Sequence, residues 1–345
     1  MRAMKLTGIR QMELMKVPDP EIQDDHDVLI RMMSVGVCGS DVHYYTTGRI
    51  GTQIVQYPFM VGHEGAGIVE KVGPSVSTLK PGDHVAIDPA MPCFDCDQCK
   101  AGRHNTCRHL CFLGCPGQAE GCLCDFLVMP ESSCFKIDNR LNFEQAAISE
   151  PLAIGVYAVK SSIPMKGAKV GILGCGPIGM SVLLPALEQG AHKVYVSDKI
   201  DARLNIARQS GASWTGNTTR IDLVKEIVKE EPLLLDVVFE ACGQQDAVDQ
   251  ALDLLKPGGK LMLIGIPEVE RISFVMDKMR RKEICVQNVR RQNGCVRETL
   301  DKIANGTYRV KDWVTHRFPL EQAQDAFELV ANYHDGVLKA MIEFD

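Results

Sequence analysis

From residue 155 to residue 289 the chain alternates short apolar runs with helical patterns, and Gly174, Gly176 and Gly179 stand where the first run meets the first helix. AKVGILG (168–174) reads as a buried strand, and IGMSVLLPALEQG (178–190) as a helix with a glycine stop. KVYVSD (193–198) predicts a second strand and DARLNIARQSGA (201–212) a second helix. LLDVVFEACG (234–243), a helix near 246–255, a KPGGK turn and the strand KLMLIGI (260–266) follow. This alternation predicts α/β architecture with a doubly wound parallel sheet.

The three glycines form G-x-G-x-x-G, which acquires meaning from its place after a strand and at a helix start. They permit a tight turn, close approach of backbone to a pyrophosphate and close helix–strand packing, while the helix N-terminus attracts the anion. Asp198 ends the next strand, nineteen residues past Gly179. A carboxylate there can bond both ribose hydroxyls and would repel a 2′-phosphate, so the expected cofactor is NAD rather than NADP. Arg203 has two readings, one over the adenosine half and one on a solvated helix face.

Residues 1–150 carry a different texture. DVLIRMMSVGV (27–37) and GAGIVEKVG (65–73) are short alternating segments, and LKPGDHVAI (79–87) is a turn at Pro81-Gly82-Asp83 feeding a strand. The change falls at Glu150-Pro151. Helices near 296–305 and 320–332 and a final LKAMIEF strand (338–344) are expected to rejoin the first domain. At 345 residues the chain is long enough for two cores. The expected division is a mostly β domain of residues 1–154 and 290–345, with a metal lobe at 90–110, and a nucleotide domain at 155–289.

That lobe contains Cys93, Cys96, Cys99 and Cys107, spaced C-x2-C-x2-C-x7-C. Zinc binds thiolates at about 2.3 Å in a closed tetrahedron, and two-residue gaps let neighbouring cysteines reach one ion. The surrounding PCFDCDQCKAGRHNTC has almost no apolar periodicity, so a metal would supply its cross-links. The N-terminus lacks a continuous apolar run of the signal-peptide kind, and no stretch approaches the roughly 18 apolar residues of a membrane span. Fourteen cysteines then point to a reducing, cytoplasmic setting in which metal binding and free thiols outrank disulfides. A net charge of −6 without a basic block argues against nucleic acid or anionic membrane as partner.

A second constellation is quieter. Cys38 lies in VGVCGSDVHYY, His63-Glu64 in VGHEGAG, and Glu150 in ISEPL at the junction of the two textures. A thiolate, an imidazole and a carboxylate give zinc three protein ligands and leave a position open, the arrangement of a catalytic rather than a structural site. Glu150 has two readings, direct ligation or holding the bound water. Singly, each residue has an ordinary explanation: Cys38 as a core thiol, His63 as a hydrogen-bonded turn residue, Glu150 as a helix-terminal charge.

The segments VCGSDVHYYTTGRIG (37–51), VGHEGAG (61–67), ISEPL (148–152), ILGCGPIGM (172–180) and VTHRFPLEQAQDAFEL (314–329) occur in order along the chain. With them the chain resembles the zinc-dependent medium-chain dehydrogenase/reductase superfamily, most closely its sorbitol (L-iditol) and xylitol dehydrogenase branch. The resemblance implies a GroES-like catalytic domain, a Rossmann domain, an active site in the cleft between them, and a homo-oligomer with a tetramer favoured. It implies two zinc ions per chain, one catalytic on Cys38, His63 and Glu64 with Glu150 beside them, one structural on the cysteine quartet. Tyr44 corresponds to a tyrosine of the substrate pocket, and Ser40 and His43 to a proton relay through the nicotinamide ribose. Ile178, Asp198, Arg203, Ile264-Gly265-Ile266 and Asn288-Val289-Arg290 correspond to cofactor positions, and Arg290 also to an arginine reaching the substrate. Two positions depart from the pattern: Arg291 stands where sorbitol enzymes usually carry an aromatic, and Cys115 replaces a hydroxyl-bearing pocket residue.

The chemistry implied is reversible oxidation of a secondary hydroxyl of a small polyol to a ketose with NAD as acceptor. Zinc lowers the hydroxyl pKa, and the cofactor takes the hydride. The Arg290-Arg291 pair keeps a sugar phosphate, a sugar acid or an amino alcohol as an alternative substrate class. A nucleotide-binding structural protein without turnover is the rival of another class, and the intact set Cys38, His63, Glu64 and Glu150 counts against it. A nucleic-acid-binding zinc ribbon is disfavoured by the acidic charge and the lack of interleaved basic and aromatic residues.

Overall fold

Along Asp27–Gly36 burial alternates: Val28, Ile30 and Met32 are buried while Leu29, Arg31 and Met33 are less so. That period of two puts one face of the strand on a core, and antiparallel partners complete it. The computed structural model describes residues 1–345, which divide into two compact units. One comprises Met1–Glu150, Val296–Gly306 and Val310–Asp345; the other comprises Pro151–Cys295 and Thr307–Arg309.

In the first unit a seven-stranded sheet runs Cys134–Lys136, His84–Ile87, Glu64–Val72, Asp27–Gly36, Lys339–Glu343, Val314–Pro319, and Phe126–Pro130 also pairs with Asp27–Gly36. Its core gathers Ile30, Met32, Tyr45, Ile87, Leu123 and Phe327. The helix Ala323–Ala331 contributes Ala323, Ala326 and Phe327, spaced three and four apart on its buried face. Within this β-rich unit the helix Gly39–Thr47 begins directly after Cys38 and ends at Gly48, whose φ of 69° closes it in the left-handed region.

Sheet register creates the site. Gly36 stands opposite Glu64 in one antiparallel pair and opposite Met341 in the other. Cys38 lies two residues beyond Gly36, His63 immediately precedes Glu64–Val72, and Lys339 heads Lys339–Glu343. A thiol, an imidazole, a carboxylate and an ammonium group are thereby delivered to one end of the sheet.

In the second unit six parallel strands run Trp214–Asn217, Lys193–Asp198, Lys169–Leu173, Leu235–Glu240, Leu255–Leu263, Cys285–Asn288. Counted in chain order within the unit this is 3-2-1-4-5-6, the order of a Rossmann sheet. The expected turn KPGGK is instead an irregularity inside Leu255–Leu263. Leu235 pairs with Leu255 and Val237 with Lys260, and the intervening excess is accommodated with Gly258 at φ 75°. Lys282 secures this region by donating to the carbonyls of Leu252, Asp253 and Leu255 at the end of Gln245–Leu254.

Candidate active site

The donor atoms of Cys38, His63 and Glu64 lie within 4.8 Å of one another. His63 and Glu64 are buried and Cys38 is partly open. Three elements hold them: the end of one strand, the start of its neighbour, and the first turn of Gly39–Thr47. Ser40 Oγ donates toward Cys38 Sγ at 3.3 Å, and His43, three residues further, shares that helix face. Thiolate, imidazole and carboxylate donors at this separation suit zinc, whose bonds to sulfur, nitrogen and oxygen are about 2.0 to 2.3 Å. Glu150 is 4 % exposed, its Oε2 is buried without a hydrogen-bond partner, and it lies outside that three-donor cluster. Burial pushes its pKa up to about 8; Glu64 and Asp88 add to the shift, while His63 and Lys339 oppose it.

Two charged residues that the sequence motifs did not single out complete the cluster. Asp41, fully buried, places Oδ1 3.2 Å from His63 Nδ1, so the ring offers Nε2 to a metal. Burial disfavours the imidazolium, but Asp41 and Cys38 outweigh it and raise the His63 pKa well above the ordinary value. Lys339, 2 % exposed, donates from Nζ to Glu64 Oε2 at 2.5 Å and to the Val37 carbonyl at 3.1 Å. Its signal in the sequence is a charge in the otherwise apolar run of VLKAMI (337–342); Asp41 sits three residues past Cys38 in the same motif.

Tyr44, also on Gly39–Thr47, is buried and donates from its hydroxyl to Gln53 Oε1 at 3.1 Å. Gln53 Nε2 in turn donates to Cys115 Sγ at 2.7 Å, and the Tyr44 hydroxyl stands 3.9 Å from that sulfur. The loop carrying Cys115 packs on the loop carrying His63. A Cβ on Gly114 would meet the Gly62 carbonyl oxygen at 2.7 Å, and the rings of Phe112 and His63 have centroids 5.5 Å apart. Gln53 is thus a polar neighbour of the site that motif reading missed.

The quartet Cys93, Cys96, Cys99 and Cys107 also converges within 4.8 Å. Sulfur separations of 3.4 Å (Cys93–Cys107) and 3.9 Å (Cys96–Cys107) are too long for a disulfide and match the edge of a tetrahedron with metal–sulfur bonds of about 2.3 Å. Backbone N–H groups of Arg108 and Cys99 lower the Cys96 pKa to about 6, which favours the thiolate that a metal requires.

In the second unit the glycine loop has the shape its residues predict. Gly174 adopts φ 95°, and a Cβ on Gly179 would lie 1.9 Å from the Gly174 carbonyl oxygen, so the turn closes only without side chains. The helix Pro177–Glu188 starts at Gly176 with no side-chain cap and no acid in its first turn, leaving N–H groups suited to a phosphate. Ile178 lies in that first turn. Arg203 is buried, with Nη1 3.6 Å from the position a Gly176 Cβ would take, which excludes the solvated-face reading. Asp198 accepts from Cys175 N at 2.6 Å and from Ile200 N at 2.9 Å, anchoring the loop while standing half-exposed at its strand end. Ile264 N and Gly265 N donate to the Glu240 carbonyl, and Gly265 lies against the Gly243 backbone; Ile266 follows, exposed. Asn288 ends the outer strand, Val289 N donates to Leu263 O, Arg290 is exposed, and Arg291 is half-buried at φ 54°.

Comparison with known proteins agrees with both units. The family model of the alcohol dehydrogenase GroES-like domain matches residues 24–139, and that of the zinc-binding dehydrogenase matches 177–305. Sorbitol dehydrogenase of Bacillus subtilis (strain 168) is 34% identical over 99% of this chain and 97% of its own length. Sorbitol dehydrogenase of Rattus norvegicus is 38% identical over 98% and 94%. Among solved structures, an Escherichia coli oxidoreductase/dehydrogenase of unknown specificity superposes with a TM-score of 0.93 at 31% identity, covering 100% of this chain and 99% of that one. The chain belongs to the zinc-dependent medium-chain dehydrogenase/reductase superfamily, in the branch of the sorbitol and xylitol dehydrogenases.

Proposed function

We propose that the protein oxidises a secondary hydroxyl of a small polyol of the sorbitol or xylitol kind to a ketose, reversibly, with NAD as the partner. The observation that carries this reading is the convergence of Cys38, His63 and Glu64 beside the polar set Tyr44, Gln53 and Cys115. Sorbitol is the substrate named for the Bacillus and rat relatives, which supports the substrate class. When bound, zinc supplies Lewis acidity at the substrate hydroxyl and the nicotinamide accepts the hydride.

The chain's own residues do the rest. Asp41 fixes the His63 ring so that Nε2 is presented as a donor. Ser40 Oγ, beside Cys38 Sγ, is placed to receive the hydroxyl proton and pass it along the helix face to His43. Glu150, whose buried Oε2 has no hydrogen-bond partner in the protein, is assigned to hold the water or hydroxyl at the metal position. Tyr44, held by Gln53, orients the polyol chain, and Arg290 with Arg291 binds its far hydroxyls. Glu150 is assigned to the metal's outer contacts, since it lies outside the three-donor cluster. The glycine loop with Ile178, Asp198, Arg203, Ile264-Gly265-Ile266 and Asn288-Val289 is assigned to NAD, and the quartet to a structural zinc. The unit of Met1–Glu150, Val296–Gly306 and Val310–Asp345 serves as the catalytic domain and that of Pro151–Cys295 as the cofactor domain, a few residues from the expected bounds of 1–154 with 290–345 and 155–289. A cytoplasmic homo-oligomer, tetrameric by family likeness, completes the reading. The consecutive arginines Arg290 and Arg291 favour a second reading, a phosphorylated or acidic polyol.

The test is NADH formation across sorbitol, xylitol, ribitol, galactitol, galactitol phosphate, threonine and butanediol, with metal analysis. Wild-type protein is expected to hold one zinc at each of the two clusters. Cys38→Ser is expected to lose one zinc and all turnover while NAD binding persists. Near-normal turnover in that variant would remove the catalytic assignment.

A further inference from the structure

Lys339 is among the largest fully buried side chains, and its ammonium donates hydrogen bonds to Glu64 Oε2 and the Val37 carbonyl. Glu64 is one of the three clustered donors, and Val37 immediately precedes another, Cys38. The pair Lys339–Glu64 is 1 % exposed on both sides, so neither charge has water to fall back on. Removing one partner of such a pair leaves an uncompensated buried charge, which is strongly unfavourable. Glu64 therefore needs a cation at all times. Lys339 occupies Oε2, so any metal shared with Cys38 and His63 meets the carboxylate from the side of Oε1. A compact ammonium can hold one oxygen and release the other; a guanidinium fork would claim both.

We propose that Lys339 is a built-in counter-ion that competes with zinc for Glu64. It keeps the carboxylate paired when the metal is away, confines Glu64 to one-oxygen ligation when the metal is present, and so holds zinc affinity below what the three donors alone would reach. The inference rests on the assignment of Cys38, His63 and Glu64 as a zinc site. Lys339 acts through Glu64 and is a positioning residue. A unit positive charge inside the site also opposes the entry of a second cation directly.

The experiment compares wild type, Lys339→Met and Lys339→Arg as zinc-loaded full-length proteins. Zinc retention at the Cys38 site is measured by equilibrium competition with a chromogenic chelator, and melting temperatures are taken with and without that zinc. Lys339→Met is expected to bind zinc about tenfold tighter or more, because the competing charge is gone. Its melting temperature should fall mainly in the zinc-stripped form, widening the zinc-dependent difference. Lys339→Arg is expected to bind zinc about tenfold more weakly, since the fork takes both oxygens of Glu64. Unchanged or weaker zinc binding in Lys339→Met, with equal destabilisation of loaded and stripped forms, would overturn the proposal and leave Lys339 as a cap of the Val37 carbonyl. If Lys339→Met does not fold, unchanged zinc affinity in Lys339→Arg overturns it instead. Failure of the zinc assignment has a separate mark: wild type and Cys38→Ser would then carry equal zinc.

Discussion

Gly36→Ala probes the register that builds the site. An ideal Cβ on Gly36 would lie 2.2 Å from Glu64 Oε2 and 3.2 Å from Glu64 Cβ. Gly36 lies between two neighbouring strands, opposite Glu64 on one side and Met341 on the other, so its backbone has little room to retreat. The added methyl must instead push the Glu64 carboxylate off Lys339 Nζ, where it now sits at 2.5 Å. Overpacking costs about 1–3 kcal/mol. Separating a buried pair costs about 3–5 kcal/mol, part of which the same shift accounts for. Together they give about 4 kcal/mol. For a unit of about two hundred residues, where 1 kcal/mol moves the midpoint by roughly 2–4 °C, the melting temperature should fall by roughly 8–16 °C. Differential scanning calorimetry with metal analysis reads both effects, and zinc content at the Cys38 site should fall with it. Gly39→Ala, three residues on and with nothing within 4 Å of its added Cβ, is the matched control and should melt like wild type. Normal melting and full zinc in Gly36→Ala would refute the packing argument.

Asp198→Ala should weaken NAD binding and narrow its advantage over NADP, measured as the ratio of kcat/KM values. Because Asp198 also accepts from Cys175 N and Ile200 N, some loss for both cofactors is expected, but an unchanged ratio would contradict the ribose role. Glu150 supplies a pH signature in zinc-stripped protein. Its folded pKa of about 8 lies above the ordinary value of 4.5, so between those values the folded state binds more protons than the unfolded state. Stability from this group is therefore present at low pH and falls as pH rises through that window. Glu150→Gln should flatten that slope in denaturant titrations across pH; a slope unchanged by the substitution would show that another group carries it.

The doubly wound sheet was legible because its signals are local. AKVGILG, KVYVSD and LLDVVFEACG are apolar-rich runs, and each contains a strand. The strands Trp214–Asn217 and Cys285–Asn288 were not legible: they are four residues long, and each has only one or two strongly apolar side chains. Gly39–Thr47 escaped notice for a related reason, since a nine-residue helix with three buried residues carries little periodicity. KPGG read as a turn from its glycines, and it is the unpaired excess between Leu255 and Lys260, with the strand resuming on either side of it.

By itself the sequence determined the features whose partners lie within a few residues of one another. The cysteine quartet spans fifteen residues, and the glycine loop needs only its own turn, so spacing is sufficient for both. Tertiary structure alone decided which charges meet. Lys339 and Glu64 are 275 positions apart, and Tyr44 and Cys115 are 71 apart. Their contacts arise from sheet register and loop packing, which no local periodicity encodes. A buried charge is intelligible only once its counter-charge is located, because desolvation makes the isolated ion prohibitive and the pair tolerable. The trio Cys38, His63 and Glu64 could be named from motifs, but the ammonium, the aspartate and the glutamine around it became visible only in the folded chain.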